Sequence, residues 1–207
     1  MRPRELIKQY ADKRGVQVLY HFTRIENLES ILKWGILSKA ELTKRKITFQ
    51  ENDSNRYDKL LDFTSFSVSF PNYKMLHTLR SRKPSNEYIL LEFPVDLISE
   101  KWCYFFPDNA TKRKDFTHRD GFSHLMGMFE FSEDSRSKTG IPYNYPTNPE
   151  AEILIVGHID ANKIVRIIFD KAESLFRYQQ IVSIRPKLVF DRSYFGPRMD
   201  YKFWQKI

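Results

Sequence analysis

Glu152 is the residue whose setting most needs explaining. It opens the aliphatic run AEILI directly after a polar, proline-bearing stretch at 132–149. A carboxylate at the start of a strand built from core residues is costly unless it serves something. His21 and Thr23 mark a second candidate position. They fall where a period-two stretch, with Val16, Val18, Tyr20 and Phe22 alternating with Gln17, Leu19 and His21, gives way to a helix. Thr23 and Glu26 have capping-box spacing, Ile25, Leu28, Ile31 and Leu32 make the apolar stripe, and Gly35 is the stop. A helix N-terminus at a strand end suits an anionic or amide-bearing ligand, because unpaired N–H groups and the positive dipole end point at it. The same pair also reads as a simple cap and a core histidine, and the segment alone leaves both open. The third candidate is basic: Lys112, Arg113 and Lys114 interleave with Phe116 and His118. That pattern fits phosphate contacts with stacking, and equally a solvated loop.

The elements that must position these residues follow from the chain in order. Residues 3–15 read as a helix delivering the chain to the first strand. Residues 38–61 form a long charged excursion over a site, since loops of this length are uncommon unless functional or disordered. The stretch FTSFSVSF at 63–70 is a strand with Phe63, Ser65, Ser67 and Ser69 on one face, leaving room beside the hydroxyls for a flat ligand. Residues 72–82 read as a short helix or loop and YILLEFPV at 88–95 as a central strand. A short helix and turn are expected at 96–107 and a helical stripe at 121–131. Strand-like runs at 151–155, 164–169 and 188–190 surround a helical segment at 172–180. The aromatic, basic tail from Arg192 packs back onto the body.

At 207 residues the chain is expected to form one domain, residues 1–207. Its 34 Lys and Arg against 26 Asp and Glu give a formal charge of +8, which favours a polyanionic partner. The one cysteine, Cys103, lies in the aromatic run WCYFF and reads as a buried, inert thiol. No segment has the apolar length of a membrane span and no signal-peptide core is present, so the expectation is a cytoplasmic protein without membrane contact.

The order of these pieces resembles the DarT family of NAD-dependent nucleic-acid ADP-ribosyltransferases. The resemblance rests on LYHFTRIENLESILKWGIL, on the spacing from Arg56 to VSFPNYKML, and on YPTNPEAEILI, and it covers roughly Val18 to Ile159. It implies an α+β ADP-ribosyltransferase fold, two splayed antiparallel sheets around an NAD cleft with flanking helices. It implies NAD as the ADP-ribose donor, no metal, and a base of single-stranded DNA or RNA as acceptor. His21, Phe22 and Thr23 correspond to the nicotinamide and ribose segment, and Asn27, Gly35 and Leu37 to the adenosine end. Arg56 is implied as the functional arginine of an NAD-binding excursion, and Glu152 as the catalytic glutamate behind a recognition loop at 118–152. A guanidinium stays protonated, so Arg56 suits clamping the pyrophosphate or orienting the base better than accepting a proton. Relatives more often carry glutamine where this chain has Glu150. If Glu150 shared the strand face of Glu152, it could accept from an exocyclic amine and favour guanine or adenine over thymine.

A carboxylate at Glu152 fits this chemistry on physical grounds. Breaking the nicotinamide bond develops positive charge on the ribose, which a carboxylate stabilises more in the transition state than in the ground state. The resemblance further implies a toxin of a toxin–antitoxin or phage-defence system, with a cognate antitoxin that could be a macrodomain hydrolase. Two rivals stay in view. An RNA 2′-phosphotransferase-like NAD enzyme requires several arginines and a histidine gripping a phosphate, and a non-catalytic basic nucleic-acid-binding module leaves Glu152 without a purpose.

Overall fold

The computed structural model describes residues 3–51, 61–112, 121–130, 136, 139–181 and 186–205. Helix α1, Pro3–Arg14, stops at Gly15, whose φ of +69° reverses the chain into strand β1, Val18–Arg24. A 3-10 turn, Ile25–Asn27, leads into α2, Leu28–Trp34, and Ser38 caps α3, Lys39–Lys44, by accepting from Glu41 N. Strand β2, Phe63–Val68, is followed by α4, Tyr73–Arg82, whose first turn is capped by the Asn72 side chain. Then come β3, Tyr88–Pro94, α5, Leu97–Glu100, β4, Cys103–Phe106, and α6, Phe122–Gly127. Strand β5, Glu152–Val156, β6, Arg166–Phe169, α7, Ala172–Gln179, β7, Lys187–Phe190, and α8, Tyr201–Trp204, complete the chain. None of the described helices is long and apolar enough to cross a membrane.

The strands form one seven-stranded sheet in the order β4-β5-β2-β1-β3-β6-β7. Two features differ from the expectation of two antiparallel sheets. The β6–β7 pair is parallel, because α7 carries the chain back across the sheet between them. The two halves are also not separate: they meet at the β1–β2 ladder, which has only the pairs Leu19↔Val68 and Tyr20↔Ser67. Beyond that seam β1 stays with β3 along its whole length, while β2 stays with β5 from Phe63 to Phe66. The splay is therefore real, and it begins at Tyr20.

Burial explains the two strands whose patterns read differently. β1 is fourth of seven and covered on both faces, so Leu19 and Tyr20 are both buried in place of a clean alternation. β3 beside it is buried at Tyr88 through Phe93, as its apolar run requires. One face carries Leu19, Phe66, Leu91, Phe93, Ile153 and Ile167 against α1, α6 and α7; the other carries Tyr20, Leu90 and Ile168 against α4. The strand β4 replaces the turn expected there. Its aromatic, strand-favouring residues pair with β5, with Cys103 and Phe105 turned into the core. Burial pushes the Cys103 thiol up to about 12, so it has no nucleophilic role.

One charge lies deep in the sheet. Glu92 is 3% exposed on β3 and accepts from Tyr20 Oη (2.9 Å) and Arg166 Nε (2.9 Å), with Arg166 Nη2 closing the pair. Burial and the neighbouring carboxylate push the Tyr20 hydroxyl well above its ordinary range, so it stays a donor. Truncating one partner of such a pair strands the other. Arg166→Ala, which strands the buried Glu92 carboxylate, should therefore lower unfolding free energy by about 3 kcal/mol, read as a shifted midpoint in urea denaturation, with a smaller loss for Glu92→Ala, which leaves the more exposed Arg166.

Candidate active site

Past the β1–β2 seam the two strands diverge and a cleft opens between them. His21, Phe22 and Thr23 line one side, and Phe63, Thr64, Ser65 and Ser67 line the other. His21 bridges the opening: its Nδ1 lies 2.9 Å from Ser65 O. A carbonyl only accepts, so Nδ1 carries the proton and the ring is fixed in one orientation. Phe66 packs on the ring from the core side, with centroids 5.5 Å apart.

The expected Thr23–Glu26 capping box does not form. Thr23 is the sixth residue of β1, Arg24 occupies the N-cap position without a side-chain cap, and the first turn is 3-10. Strand pairing extends to Arg24↔Tyr88 and takes Thr23 with it, overriding the local capping signal. The Thr23 hydroxyl instead accepts from Asn27 Nδ2 (3.0 Å). Asn27 also donates to Gln50 O (2.9 Å) and accepts from Gln50 N (2.7 Å), so one buried amide ties the start of α2 to the middle of the charged excursion. Lys39 and Glu51 add an ion pair at 3.0 Å. At the other end of α2, Gly35 has φ +74°, and a Cβ there would sit 2.4 Å from Ile159 O. Only glycine permits this approach, which brings Gly35 and Leu37 onto the cleft.

Glu152 enters the same cleft from β5. Its register opposite Phe106 of β4, with β2 on the other side, brings two donors to its carboxylate. Ala110 N donates to Oε1 and Ser65 Oγ to Oε2. An anion so held keeps its orientation while remaining half-exposed to the cleft. The serines are thus neither solvated nor bare: on β2 Ser65 holds Glu152 and Ser67 accepts from Asn72 N (2.9 Å), while Ser69, expected on the same strand face but lying past the strand's end with φ +60°, donates to Asn144 O (2.7 Å).

Glu150 is not on the strand. β5 begins at Glu152, and Glu150 lies in the preceding turn, its amide bound to Asn148 Oδ1 and its carboxylate 3.4 Å from Lys74 Nζ. A proline loop cannot extend the ladder backwards, so the geometric basis for a purine preference is removed. Lys112 ends a 3-10 turn, Ala110–Lys112, that begins with the amide holding Glu152. Arg56, Arg113, Lys114, Phe116 and His118 lie outside the described residues. The cleft thus gathers His21, Phe22, Thr23, Asn27, Gly35, Leu37 and Glu152. Sequence reasoning missed Ser65 as the partner of Glu152, although its strand face was legible, and missed the Ala110 amide and the Asn27–Gln50 tie, for which no side-chain pattern gives a signal.

With this geometry in hand, comparisons place the chain among known proteins. The profile of the DarT family, described as ssDNA thymidine ADP-ribosyltransferase, matches residues 20–196. Thermosipho africanus DarTG in complex with ADP-ribose is similar at 20% identity and TM-score 0.62, covering 86% of this chain and 51% of that one. This chain thus spans about half the length of that relative. Thermus sp. 2.9 DarT in complex with NAD+ is similar at 16% identity and TM-score 0.58, covering 86% and 97%. The same protein in complex with ADP-ribosylated ssDNA gives 15% identity, TM-score 0.57, and coverage of 88% and 97%. Identities this low speak to the fold. No curated protein matches the chain.

The Asn27 tie is directly testable. Asn27→Ala removes all three hydrogen bonds, each worth about 1 kcal/mol net. Amide hydrogen exchange over residues 45–51 should accelerate roughly tenfold or more while exchange in β3 is unchanged.

Proposed function

The chain belongs to the DarT family, and from that premise we propose that it transfers ADP-ribose from NAD to thymidine in single-stranded DNA, with Glu152 as the catalytic carboxylate. The observation that supports this most is the pairing of Glu152, gripped by Ser65 and Ala110, with the His21–Thr23 strand end across one cleft. His21, Phe22 and Thr23 hold the nicotinamide and its ribose; Asn27, Gly35 and Leu37 line the adenosine end. Arg56 clamps the pyrophosphate or orients the base, because its guanidinium stays charged. Lys112, Arg113 and Lys114, with Phe116 and His118, contribute phosphate contacts and stacking. Glu150 borders the acceptor base.

In the reaction the bond between ribose and nicotinamide breaks, nicotinamide leaves with the bonding pair, and a nitrogen of the base bonds to the same carbon while its proton passes to water. Positive charge gathers on the ribose between these events. Glu152 stabilises it, and its two fixed donors mean that no reorganisation is required when the charge appears. The rival phosphotransferase reading calls for a cluster of arginines on a phosphate. Among the described residues, the basic side chains lining the cleft are His21 and Lys39.

Such an enzyme damages the nucleic acid of its own cell, so we propose that it acts as a toxin restrained by a cognate antitoxin, with a macrodomain that removes ADP-ribose as the candidate. Glu152→Gln should lower transfer by roughly 10²–10³-fold, the effect of losing one electrostatic stabiliser, with NAD affinity kept. Mass measurement of thymidine-containing DNA and of matched RNA oligonucleotides incubated with NAD reads this out. Modification of RNA alone, or full turnover by Glu152→Gln, would overturn the assignment. Expression of the wild type without a partner should arrest growth, and expression of Glu152→Gln should not. Affinity for ssDNA should fall steeply as salt rises, through counterion release; a titration from low to physiological salt measures the slope.

A further inference from the structure

The start of α4 reaches the cleft through Asn72 and Met75. Register places them over the face that carries Glu152. Tyr20 pairs with Ser67 at the seam, Ser65 pairs with Leu154, and Glu152 is two residues from Leu154, so Tyr20, Phe22, Ser65, Ser67 and Glu152 share one face. Helix α4 packs on that face through Leu76 and Leu79. Two serines divide the site between them: Ser65 grips the Glu152 carboxylate, and Ser67 accepts from Asn72 N (2.9 Å). Neighbours on one strand face stand about 7 Å apart. Asn72 is therefore held one step nearer the seam than the carboxylate.

Asn72 is 6% exposed and lines the cleft. Its Oδ1 accepts from Met75 N (3.1 Å), and because a backbone N–H bonds only to an acceptor, this contact settles which limb of the planar amide is oxygen. The other limb, Nδ2, has no hydrogen-bond partner among the described residues. A buried amide donor left unpaired is costly, and the cleft is where its partner can arrive. The neighbouring Tyr20 hydroxyl is committed to Glu92 (2.9 Å). Phe22 and Met75 supply apolar walls. The position suits a flat ring that bears an acceptor oxygen at its edge, one strand step from the atom that Glu152 serves.

We propose that Asn72 Nδ2 donates to the carboxamide oxygen of nicotinamide and so holds the leaving group of NAD at the seam end of the cleft. This rests on the ADP-ribosyl transfer proposed above and adds to the strand-end segment 21–23 a leaving-group residue from the start of α4. Strand pairing closes the cleft at the seam, so that end takes a terminal group such as nicotinamide. A base within a nucleic-acid strand has a nucleotide on either side and needs the open end.

Serine and threonine also cap helices, so Asn72→Ser and Asn72→Thr keep an acceptor for Met75 N and remove the amide donor. Titration calorimetry on wild type and both variants compares NAD, ADP-ribose and the NAD analogue in which hydrogen replaces the carboxamide, with thermal melting to check folding. Wild type should bind NAD about five- to tenfold more tightly than the analogue, the worth of one neutral hydrogen bond. The variants should bind the two equally, and all three proteins should bind ADP-ribose alike. A preference for NAD kept by the variants overturns the proposal, as does a wild type without one. Equal losses of NAD and ADP-ribose affinity overturn it as well, since they mark a purely structural role. Weakened ssDNA binding with the NAD preference kept overturns it in favour of the acceptor base. NAD binding needs no acceptor, so a wild type that shows the preference and modifies no DNA would refute the transfer reading and leave Asn72 its role. A wild type that binds no NAD would overturn both.

Discussion

The site depends on one limit of the sheet: β1 and β2 pair at two positions and then part. Each keeps its outer neighbour, β3 or β5, so parting does not leave either strand unsupported. A sheet that stayed closed would bury His21 and Ser65 in a ladder, and a sheet that fully split would lose the seam that aligns its halves. His21 donating to Ser65 O holds the first step of the opening at one width. Ser65 then turns its hydroxyl to Glu152, so one residue of β2 links the histidine of one half-sheet to the carboxylate of the other.

Around that opening the chain uses hydrogen bonds to backbone where a loop must be rigid. Asn27 grips both polar groups of Gln50, Arg136 and Arg198 grip the loop before β5, and Ala110 donates back to Glu152. Planar amide and guanidinium groups suit this work because they satisfy several partners in fixed directions. Buried charge pairs accompany them, Glu92 with Arg166 and Arg198 with Asp200. Such pairs add little net stability once desolvation is counted, but they discriminate strongly against arrangements in which either member is stranded.

Charge is divided in a way that suits the proposed reaction, with its polyanionic acceptor and cationic transition state. The chain carries +8 overall, yet the group gripped at the parting of the strands is a carboxylate. Long-range attraction and local stabilisation of positive charge are different tasks, one screened over a Debye length and the other acting at contact, so they can coexist on one chain.

What the sequence by itself determined were the features carried by local chemistry. The apolar run of β3, the glycine ends of α1 and α2, the buried Cys103 and the isolated carboxylate of Glu152 at a strand start are all consequences of which residues stand next to which. The order of motifs was enough to indicate the family, and it singled out seven residues that share one cleft. Only the tertiary structure decided the rest. Thr23 and Glu26 have capping-box spacing, but pairing with β3 keeps Thr23 in the strand, because a ladder of seven pairs outweighs one cap. Cys103 to Phe106 became an edge strand because β5 lay open beside it. Glu150 left the face of Glu152 because the strand starts two residues later. The parting of β1 and β2 has no local signature at all: it is set by where the outer neighbours hold each strand, and those neighbours lie up to 93 residues away in the chain, as Phe63 pairs with Val156.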